Sequence, residues 1–259
     1  MTIGGVGQDW NDLGRVDPLW AILSDPSRRN HGWTLAEFFN TAEGEVSDIL
    51  DTARELGRPL APKRALDFGC GVGRGTRALA TRFDECWGID ISDVMIGEAK
   101  RLNGDLTNCH FVTNVEPTLR SFPSGSFDLV YSMIVLQHQP SAQVALRYVD
   151  EFLRVASPDG LIVFQLPSSI PLANRLQPRR RAYSLLRSLG VSPYFLIGQL
   201  RLHPIRVIAV SEEVVERRVD DGRGRILLAR QDDSIPPMRS MCYFVQPPSR
   251  EATARSDPT

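Results

Sequence analysis

The sequence predicts an α/β protein built on a doubly wound parallel sheet, and three observations support that prediction. The first is an apolar strand, Ala65 and Leu66, that runs into the glycine-rich stretch Asp67–Gly73. The second is Trp87–Asp90, another apolar run that ends in a carboxylate. The third is a regular alternation of strand and helix patterns between residues 63 and 167, which is typical of parallel strands with helices on both faces.

The alternating part contains five predicted strands and three predicted helices. The strands are Arg64–Phe68, Cys86–Asp90, His110–Thr113, Phe127–Ser132 and Leu161–Leu166. The helices are Arg74–Arg82, Val94–Leu102 and Ala142–Val155. Leu79 and Phe83 are expected to face inward, and Ser92 is the expected N-cap of the second helix, with Asp93 at its positive end.

The segment before the first strand, residues 1–62, is predicted to be helical. Apolar residues recur at helical spacing from Leu35 to Leu56, and Gly57 ends the pattern. This helix either folds over a ligand site, where Phe39 and Thr41 would touch the ligand, or simply packs on the sheet.

The alternation of predicted strands and helices stops after the fifth strand. Residues 168–204 hold four prolines and an arginine-rich run, and they are too long for an ordinary connection, so we expect an inserted lid or cap. Regular structure returns at residues 205–246, with a helix opened by Ser211 and two apolar runs, Ile226–Ala229 and Met241–Val245. The polar, proline-rich tail at 247–259 is expected to be disordered.

The glycine stretch indicates a nucleotide-like ligand. Gly69, Gly71 and Gly73 allow the backbone to pass close beneath a ligand, and Asp90 follows Asp67 by about 20 positions, the distance at which a second strand brings an acid to a ribose. The spacing does not give the dinucleotide pattern G-x-G-x-x-G, because Arg74 or Thr76 stands where the last glycine is required. A nicotinamide-dependent oxidoreductase is therefore disfavoured.

The pattern that remains, acid-x-Gly-x-Gly-x-Gly, resembles motif I of the class I S-adenosylmethionine-dependent methyltransferases. The resemblance extends over Phe122–Ser132, Val135–His138 and Leu153–Leu161, although Asp159 departs from the family's usual Leu-x-Pro-Gly-Gly turn. It implies a Rossmann-like, doubly wound sheet of seven strands, mostly parallel with an antiparallel last strand, plus the helical lid insert. The predicted division is then an N-terminal helical segment covering the cofactor site at 1–62, a methyltransferase domain at 63–246 and the tail at 247–259.

The resemblance also implies which residues hold the cofactor, S-adenosylmethionine. A carboxylate at Asp67 is unfavourable beside a diphosphate but favourable near a sulfonium ligand that carries an α-ammonium group. After the third strand the family often places an acid or amide next to the adenine; Asn114 and Val115 are expected there, with Glu116 as an alternative. The predicted cofactor-binding set is Asp67, Gly69, Cys70, Gly71, Gly73, Asp90, Ile91, Asn114, Val115 and Ser132.

His138 is the predicted catalytic residue. It follows the fourth strand at the carboxyl edge of the sheet, where ligands of open α/β folds bind, and an imidazole with an ordinary pKa of about 6.5 suits the removal of a hydroxyl proton. The alternative is that His138 bonds the backbone and orders the following loop. His203 is a weaker candidate for the acceptor site, and the spacing of the histidines supports no metal site.

The arginines of the insert have two interpretations. They form either an electropositive lid for a carboxylated, phosphorylated or membrane-associated acceptor, or the solvated face of a lid helix. A nucleic-acid substrate is disfavoured, because the net charge is −1 and the Asn/Asp-Pro-Pro-aromatic motif expected after the fourth strand of amino-methylating nucleic-acid enzymes is missing.

Composition places the protein in a reducing compartment, with the cytoplasm as the default. The four cysteines form no C-x-x-C pair, and the sequence shows no signal-peptide pattern and no apolar stretch of membrane-spanning length. The sequence therefore predicts a cytoplasmic methyltransferase that acts on a small molecule and is no integral membrane protein. A hydroxyl of a sugar, glycoside or natural product is the expected acceptor. N- or C-methylation and a non-catalytic cofactor-binding protein stay open as alternatives, as does the oligomeric state.

Overall fold

A seven-stranded sheet forms the centre of the protein, and its spatial order is β3-β2-β1-β4-β5-β7-β6. The computed structural model describes residues 3–171, 175–232 and 238–249. The strands are β1 (Arg64–Phe68), β2 (Glu85–Asp90), β3 (Cys109–Thr113), β4 (Phe127–Ser132), β5 (Ala156–Ser169), β6 (Arg225–Asp232) and β7 (Arg239–Gln246). Strand β7 runs antiparallel to β5 and β6, whereas the other pairings are parallel. The predicted sheet, with its antiparallel last strand, is confirmed.

Eight α-helices of the described residues surround the sheet. They are α1 (Ile3–Val16), α2 (Pro18–Ile22), α3 (Leu35–Glu55), α4 (Arg74–Ala80), α5 (Asp93–Leu102), α6 (Ala142–Val155), α7 (Pro178–Ser188) and α8 (Glu212–Asp221). Short 3-10 turns occur at Pro26–Arg28 and Leu136–His138, and a π-helix spans Tyr194–Gln199. Ser92 caps α5 by accepting a hydrogen bond from the Met95 N–H, as predicted.

The central strands are buried on both faces, which explains why they read as continuous apolar runs rather than as alternating ones. On one face, Leu66 and Phe68 of β1 join α6 and α8 in a single apolar cluster. On the other face, Ala65 of β1 and Tyr131 of β4 pack against α3 and α4. Leu79 and Phe83 are buried there, as expected.

The N-terminal helices lie over the carboxyl end of the sheet and against the helices beside it. Thr34 begins α3 in a capping box, accepting from the Glu37 N–H while the Glu37 carboxylate accepts from the Thr34 N–H. Helix α3 packs along α4, and α1 packs along α5. The arrangement brings three helices from residues 3–55 to the edge of the sheet where the glycine turn emerges.

The segment after β5 differs from a simple connection. Strand β5 extends well beyond the predicted Leu161–Leu166, because it pairs with β4 on one side and with most of β7 on the other. Helix α7 and the π-helix then pack against α1, where the Tyr183 hydroxyl donates to Asp12 at 2.8 Å and Arg187 pairs with the same carboxylate at 2.9 Å. Whether this segment moves as a lid stays a prediction.

Residues 250–259, most of the predicted disordered tail, lie outside the described residues. Within the described part of the chain, no helix combines the length and the apolar character needed to cross a bilayer.

Candidate active site

A cavity of about 910 Å³ lies at the carboxyl edge of β1, β2 and β4, beneath α1, α2 and α3. The glycine turn and the end of β2 form one wall, and the 3-10 turn after β4 forms another. Side chains from the N-terminal helices include Trp10 and Ile22, and Ile205 and Val207 approach from the segment after the π-helix. Small-molecule sites commonly have volumes of about 300–1,000 Å³, so this cavity has room for a cofactor and an acceptor side by side.

The glycine turn adopts a conformation that only glycine reaches without strain. Gly69, Gly71 and Gly73 have φ values of 76°, 53° and 84°, in the left-handed region. A Cβ at Gly71 would also lie 2.5 Å from Cδ1 of Ile22, so α2 packs directly on the turn. Gly69 and Gly71 line the cavity.

Asp90, at the end of β2, is hydrogen-bonded to the backbone of the glycine turn. Its Oδ2 accepts a hydrogen bond from the Gly71 N–H at 2.9 Å, and its Oδ1 accepts one from the Ser92 N–H at 2.9 Å. Burial raises the pKa of this carboxyl, while the backbone hydrogen bonds lower it. Asp90 lines the cavity, and each oxygen keeps a second lone pair for a hydroxyl donor on a ligand.

Asp67, which was predicted to lie near the ligand's ammonium group, is buried and bonded within the fold. Its carboxylate is only 4% exposed and accepts from the Thr76 hydroxyl at 2.7 Å. Burial raises its pKa to about 7. Among the described residues, Asp67 is not part of the cavity wall, and its hydrogen bond joins the end of β1 to α4 instead.

The other predicted cofactor residues divide into two groups. Ile91 and Asn114 line the cavity, and the Asn114 side chain donates to the carbonyls of Glu116 and Thr118, which fixes the loop after β3. Within the described cavity wall, four predicted residues do not appear: Cys70, Gly73, Val115 and Ser132. Val115 is 61% exposed, whereas Cys70 and Ser132 are buried behind the wall.

A charged network that the sequence analysis missed lines the same side of the cavity. The Arg74 guanidinium donates to Glu45 at 2.9 Å and to the Thr41 hydroxyl at 3.2 Å, and the Tyr131 hydroxyl donates to the other oxygen of Glu45. Arg74 is almost fully buried and directly follows the glycine turn, a position that could have drawn notice. Glu45 lies on α3, and nothing local in the sequence connects it to that turn.

Phe39 and Thr41 of α3, the two residues that the sequence suggested as ligand contacts, have different surroundings in the structure. Thr41 lines the cavity, as one of the two interpretations expected. Phe39 instead contacts the Phe38 ring and the Arg77 guanidinium, so it contributes to packing.

His138 lines the cavity from the 3-10 turn after β4. Its Nδ1 is bonded to the backbone carbonyl of Arg206, and because a carbonyl only accepts, Nδ1 carries the hydrogen and Nε2 keeps a free lone pair. The Trp10 ring packs edge-on against the imidazole at 5.3 Å between centroids. Burial lowers the pKa of His138 to about 4, below the ordinary imidazole value of about 6.5, so the ring is neutral near pH 7.

Gln137, directly before His138, presents a second acceptor in the same wall. The side chain is 2% exposed, and its Oε1 has no hydrogen-bond partner among the described residues. A buried amide oxygen without a partner is costly, so a ligand that donates a hydrogen bond there is favoured.

Backbone strain occurs two residues after β4. Ile134 has φ +61°, which a β-branched residue rarely adopts, and its N–H donates to Oε1 of Gln165 at 3.0 Å. Ile134 lines the cavity, and strained residues that the surrounding structure holds in place cluster at functional sites.

His203 is not part of the described cavity wall, although it lies near enough to His138 to lower the pKa of that residue slightly. In the described ranges, no group of three or more His, Cys, Asp or Glu side chains has an arrangement that could hold a metal ion.

Comparisons with known proteins agree with this architecture. Residues 66–164 match a family described as "Methyltransferase domain". The chain is 38% identical over 104 residues to a tocopherol O-methyltransferase of Arabidopsis thaliana, covering 39% of this chain and 29% of that protein. It is 34% identical over 168 residues to a probable tocopherol O-methyltransferase of Oryza sativa, a match that covers 59% of this chain and 46% of that protein. It is 35% identical over 107 residues to a ubiquinone biosynthesis O-methyltransferase of Methylococcus capsulatus, which covers 40% of this chain and 44% of that protein. The matches thus span less than half the length of these relatives.

Solved structures show the same fold at low identity. Magnesium protoporphyrin IX methyltransferase from Synechocystis superposes with a TM-score of 0.61 at 18% identity, covering 93% of this chain and 98% of that one. A methyltransferase from Clostridium acetobutylicum superposes with a TM-score of 0.59 at 13% identity, and the match covers 88% of this chain and 98% of that one. Together with the sheet order and the glycine turn, these matches show that residues 66–164 form a methyltransferase domain and that the chain has the fold of S-adenosylmethionine-dependent methyltransferases.

Proposed function

We propose that this protein transfers a methyl group from S-adenosylmethionine to a hydroxyl of a small, largely apolar acceptor. The observation that carries the proposal is that one cavity contains both halves of such a site. The glycine turn with Asp90 forms the cofactor half, and the free Nε2 of His138 with the unpartnered Oε1 of Gln137 belongs to the acceptor half.

The residues of the cofactor half fit this ligand chemically. Asp90 retains acceptor capacity for ribose hydroxyls, and the Arg74–Glu45 pair offers a guanidinium and a carboxylate, which complement the carboxylate and ammonium of an amino acid. We assign that complementary role to Arg74 and Glu45 rather than to Asp67. When bound, the cofactor supplies an activated methyl group on a sulfonium sulfur.

His138 would act on the acceptor hydroxyl. Its neutral Nε2 can accept the hydroxyl's hydrogen bond and take up the proton as the oxygen loses it, while the Arg206 carbonyl holds the ring in the required tautomer. A pKa of about 4 makes the imidazole a weak base, so orientation of the oxygen contributes much of its effect.

The walls favour an acceptor with an apolar body. Trp10, Trp33, Met133, Ile205 and Val207 all face the cavity. Relatives named for tocopherol and for ubiquinone biosynthesis carry the same domain, and they are named as O-methyltransferases. This combination supports a natural-product hydroxyl over the sugar or glycoside hydroxyl that the sequence also allowed.

The test combines labelled cofactor, a panel of phenols, alcohols, glycosides and amines, and the variant His138→Ala. We expect methyl transfer to a phenol or alcohol, located by mass spectrometry, and a loss in kcat of about 10²–10⁴-fold in the variant. S-adenosylhomocysteine should still bind within about twofold of wild type, since the hydrogen bond of the His138 ring goes to the Arg206 carbonyl and not to the glycine turn.

His110→Ala is the matched control, because His110 lies half-exposed on edge strand β3, far along the sheet from β4. Unchanged turnover in His138→Ala would remove the histidine from the mechanism. A methyl group found on nitrogen or carbon would replace the hydroxyl assignment. Cofactor binding without transfer to any acceptor would favour a non-catalytic protein.

A further inference from the structure

The segment between residues 175 and 201 presents an outward surface that the methyl-transfer site does not use. We call this surface the basic-apolar face. Six large apolar side chains on it are roughly half or more exposed: Leu176, Leu185, Leu189, Tyr194, Phe195 and Leu200. Leu185, on α7, and Leu189, the C-cap of that helix, are 62% and 72% exposed. They are four residues apart, and Arg181 lies another four residues before Leu185 on the same helix.

The same segment is strongly basic. The chain contains no aspartate or glutamate between Asp159 and Glu212, whereas seven arginines fall in that interval. Arg179, Arg181 and Arg201 are exposed beside the apolar residues. Burial lowers the pKa of Arg29, and the nearby charges of Arg201 and Arg179 lower it further, so the positive charges are concentrated in one region.

The inner side of the segment is firmly attached, which fixes the outward orientation of these residues. Tyr183, Leu196 and Ile197 are buried in a cluster with Leu13 of α1. Arg187 and the Tyr183 hydroxyl both bond to Asp12, as described above. Helix α7 and the π-helix contact each other and bury their inner residues in one cluster, so their exposed residues face away from that cluster.

We propose that the basic-apolar face docks the protein peripherally on an anionic lipid bilayer. Exposed leucine and aromatic side chains insert at the boundary between headgroups and acyl chains, and flanking arginines pair with lipid phosphates. A second copy of this chain is a poorer occupant, because it would bring a second arginine-rich surface against the first.

Docking through this face would place the cavity close to the bilayer. Ile205 and Val207, which line the cavity, lie six and eight residues after the π-helix. Helix α1 contributes Trp10 to the cavity and Asp12 to the anchor of α7. The docking proposal does not depend on which acceptor is methylated.

Vesicle flotation tests the proposal with the full chain. We expect binding to phosphatidylcholine vesicles containing phosphatidylglycerol, weaker binding to phosphatidylcholine alone, and loss of binding at high salt. The double variant L185S/L189S should lower the partition coefficient about tenfold or more. Each of Arg181→Gln and Arg201→Gln should lower it about fivefold.

Matched controls come from exposed residues elsewhere. Leu35→Ser and Arg82→Gln remove an exposed leucine and an exposed arginine outside the face, and they should bind as wild type does. Circular dichroism and S-adenosylhomocysteine binding should be unchanged in every variant. Absence of wild-type binding to anionic vesicles, or equal binding by L185S/L189S, would overturn the proposal. A dimer seen by light scattering that L185S/L189S converts to monomer, without vesicle binding, would overturn it in favour of self-association.

Discussion

Replacing Asp90 with asparagine tests the assignment of the cofactor half directly. The two carboxylate oxygens of Asp90 accept one backbone N–H each, from Gly71 and from Ser92. Asparagine keeps one oxygen and turns the other into an NH₂ group. Whichever way the amide is oriented, one of these two buried N–H groups then faces a donor and loses its partner.

The expected size of the effect follows from that geometry. An unpaired buried N–H costs about 1–3 kcal/mol, which corresponds to a fall in melting temperature of about 2–10 °C for a chain of this size. The acceptor that remains for a ribose hydroxyl is neutral, and hydrogen bonds to charged acceptors are about twice as strong as neutral ones. We therefore expect Asp90→Asn to weaken binding of S-adenosylhomocysteine by about 5- to 150-fold.

Isothermal titration calorimetry and thermal unfolding measure the two effects separately. Asp93→Asn is the matched control, because it removes the same charge from an exposed position in the first turn of α5. The control should leave affinity unchanged. An Asp90→Asn protein that binds S-adenosylhomocysteine within twofold of wild type would refute the reasoning and the placement of the cofactor beside β2.

Two further predictions concern the scaffold of the site. Burial raises the folded-state pKa of Asp67 to about 7, above an unfolded value of about 3.9, so between these values the folded protein holds a proton that the unfolded chain has released. The free energy of unfolding of the wild type therefore falls as the pH rises through this window. Relative to wild type, Asp67→Asn should gain up to about 1.4 kcal/mol of unfolding free energy per pH unit from about pH 4 to pH 7, and no more above pH 7. Urea unfolding at pH 5, 6 and 8 measures this difference, and a difference that does not change with pH would contradict the prediction. Gln165→Met removes the oxygen that accepts from the strained Ile134 N–H and the amide that donates to Asp232 at 2.6 Å. We expect the free energy of unfolding to fall by about 1–3 kcal/mol. Equal urea midpoints for the variant and the wild type would disprove this prediction.

The central strands could be predicted well because their information is local. The predicted bounds of β1 and β4 agree with the structure, since buried parallel strands are short apolar runs bounded by turns. Strand β5 was predicted too short, because its length depends on pairing with β7, far along the chain. Long-range pairing of this kind leaves no local pattern to read.

The candidate site was predictable in its backbone but less so in its side chains. Positive φ at the glycine turn and the end of β2 at Asp90 follow from glycine spacing and strand length. The direction of the Asp67 carboxylate cannot be predicted in this way, because it depends on a hydrogen bond from the Thr76 hydroxyl on the following helix. The lowered pKa of His138 likewise depends on burial, and the ring packs against Trp10 of α1, far away in sequence; the hydrogen bond to the Arg206 carbonyl acts the other way and raises the pKa.

The sequence by itself determined the class of fold and the place of the glycine turn between the first strand and the helix after it, because glycine conformations and apolar runs act over a few residues. Only the tertiary structure decided which polar groups share the cavity: Arg74 with Glu45, and His138 beside the unpartnered Gln137. The physical reason is that burial and hydrogen-bond partners set the charge and direction of a side chain, and those partners come from helices that the chain brings together only on folding.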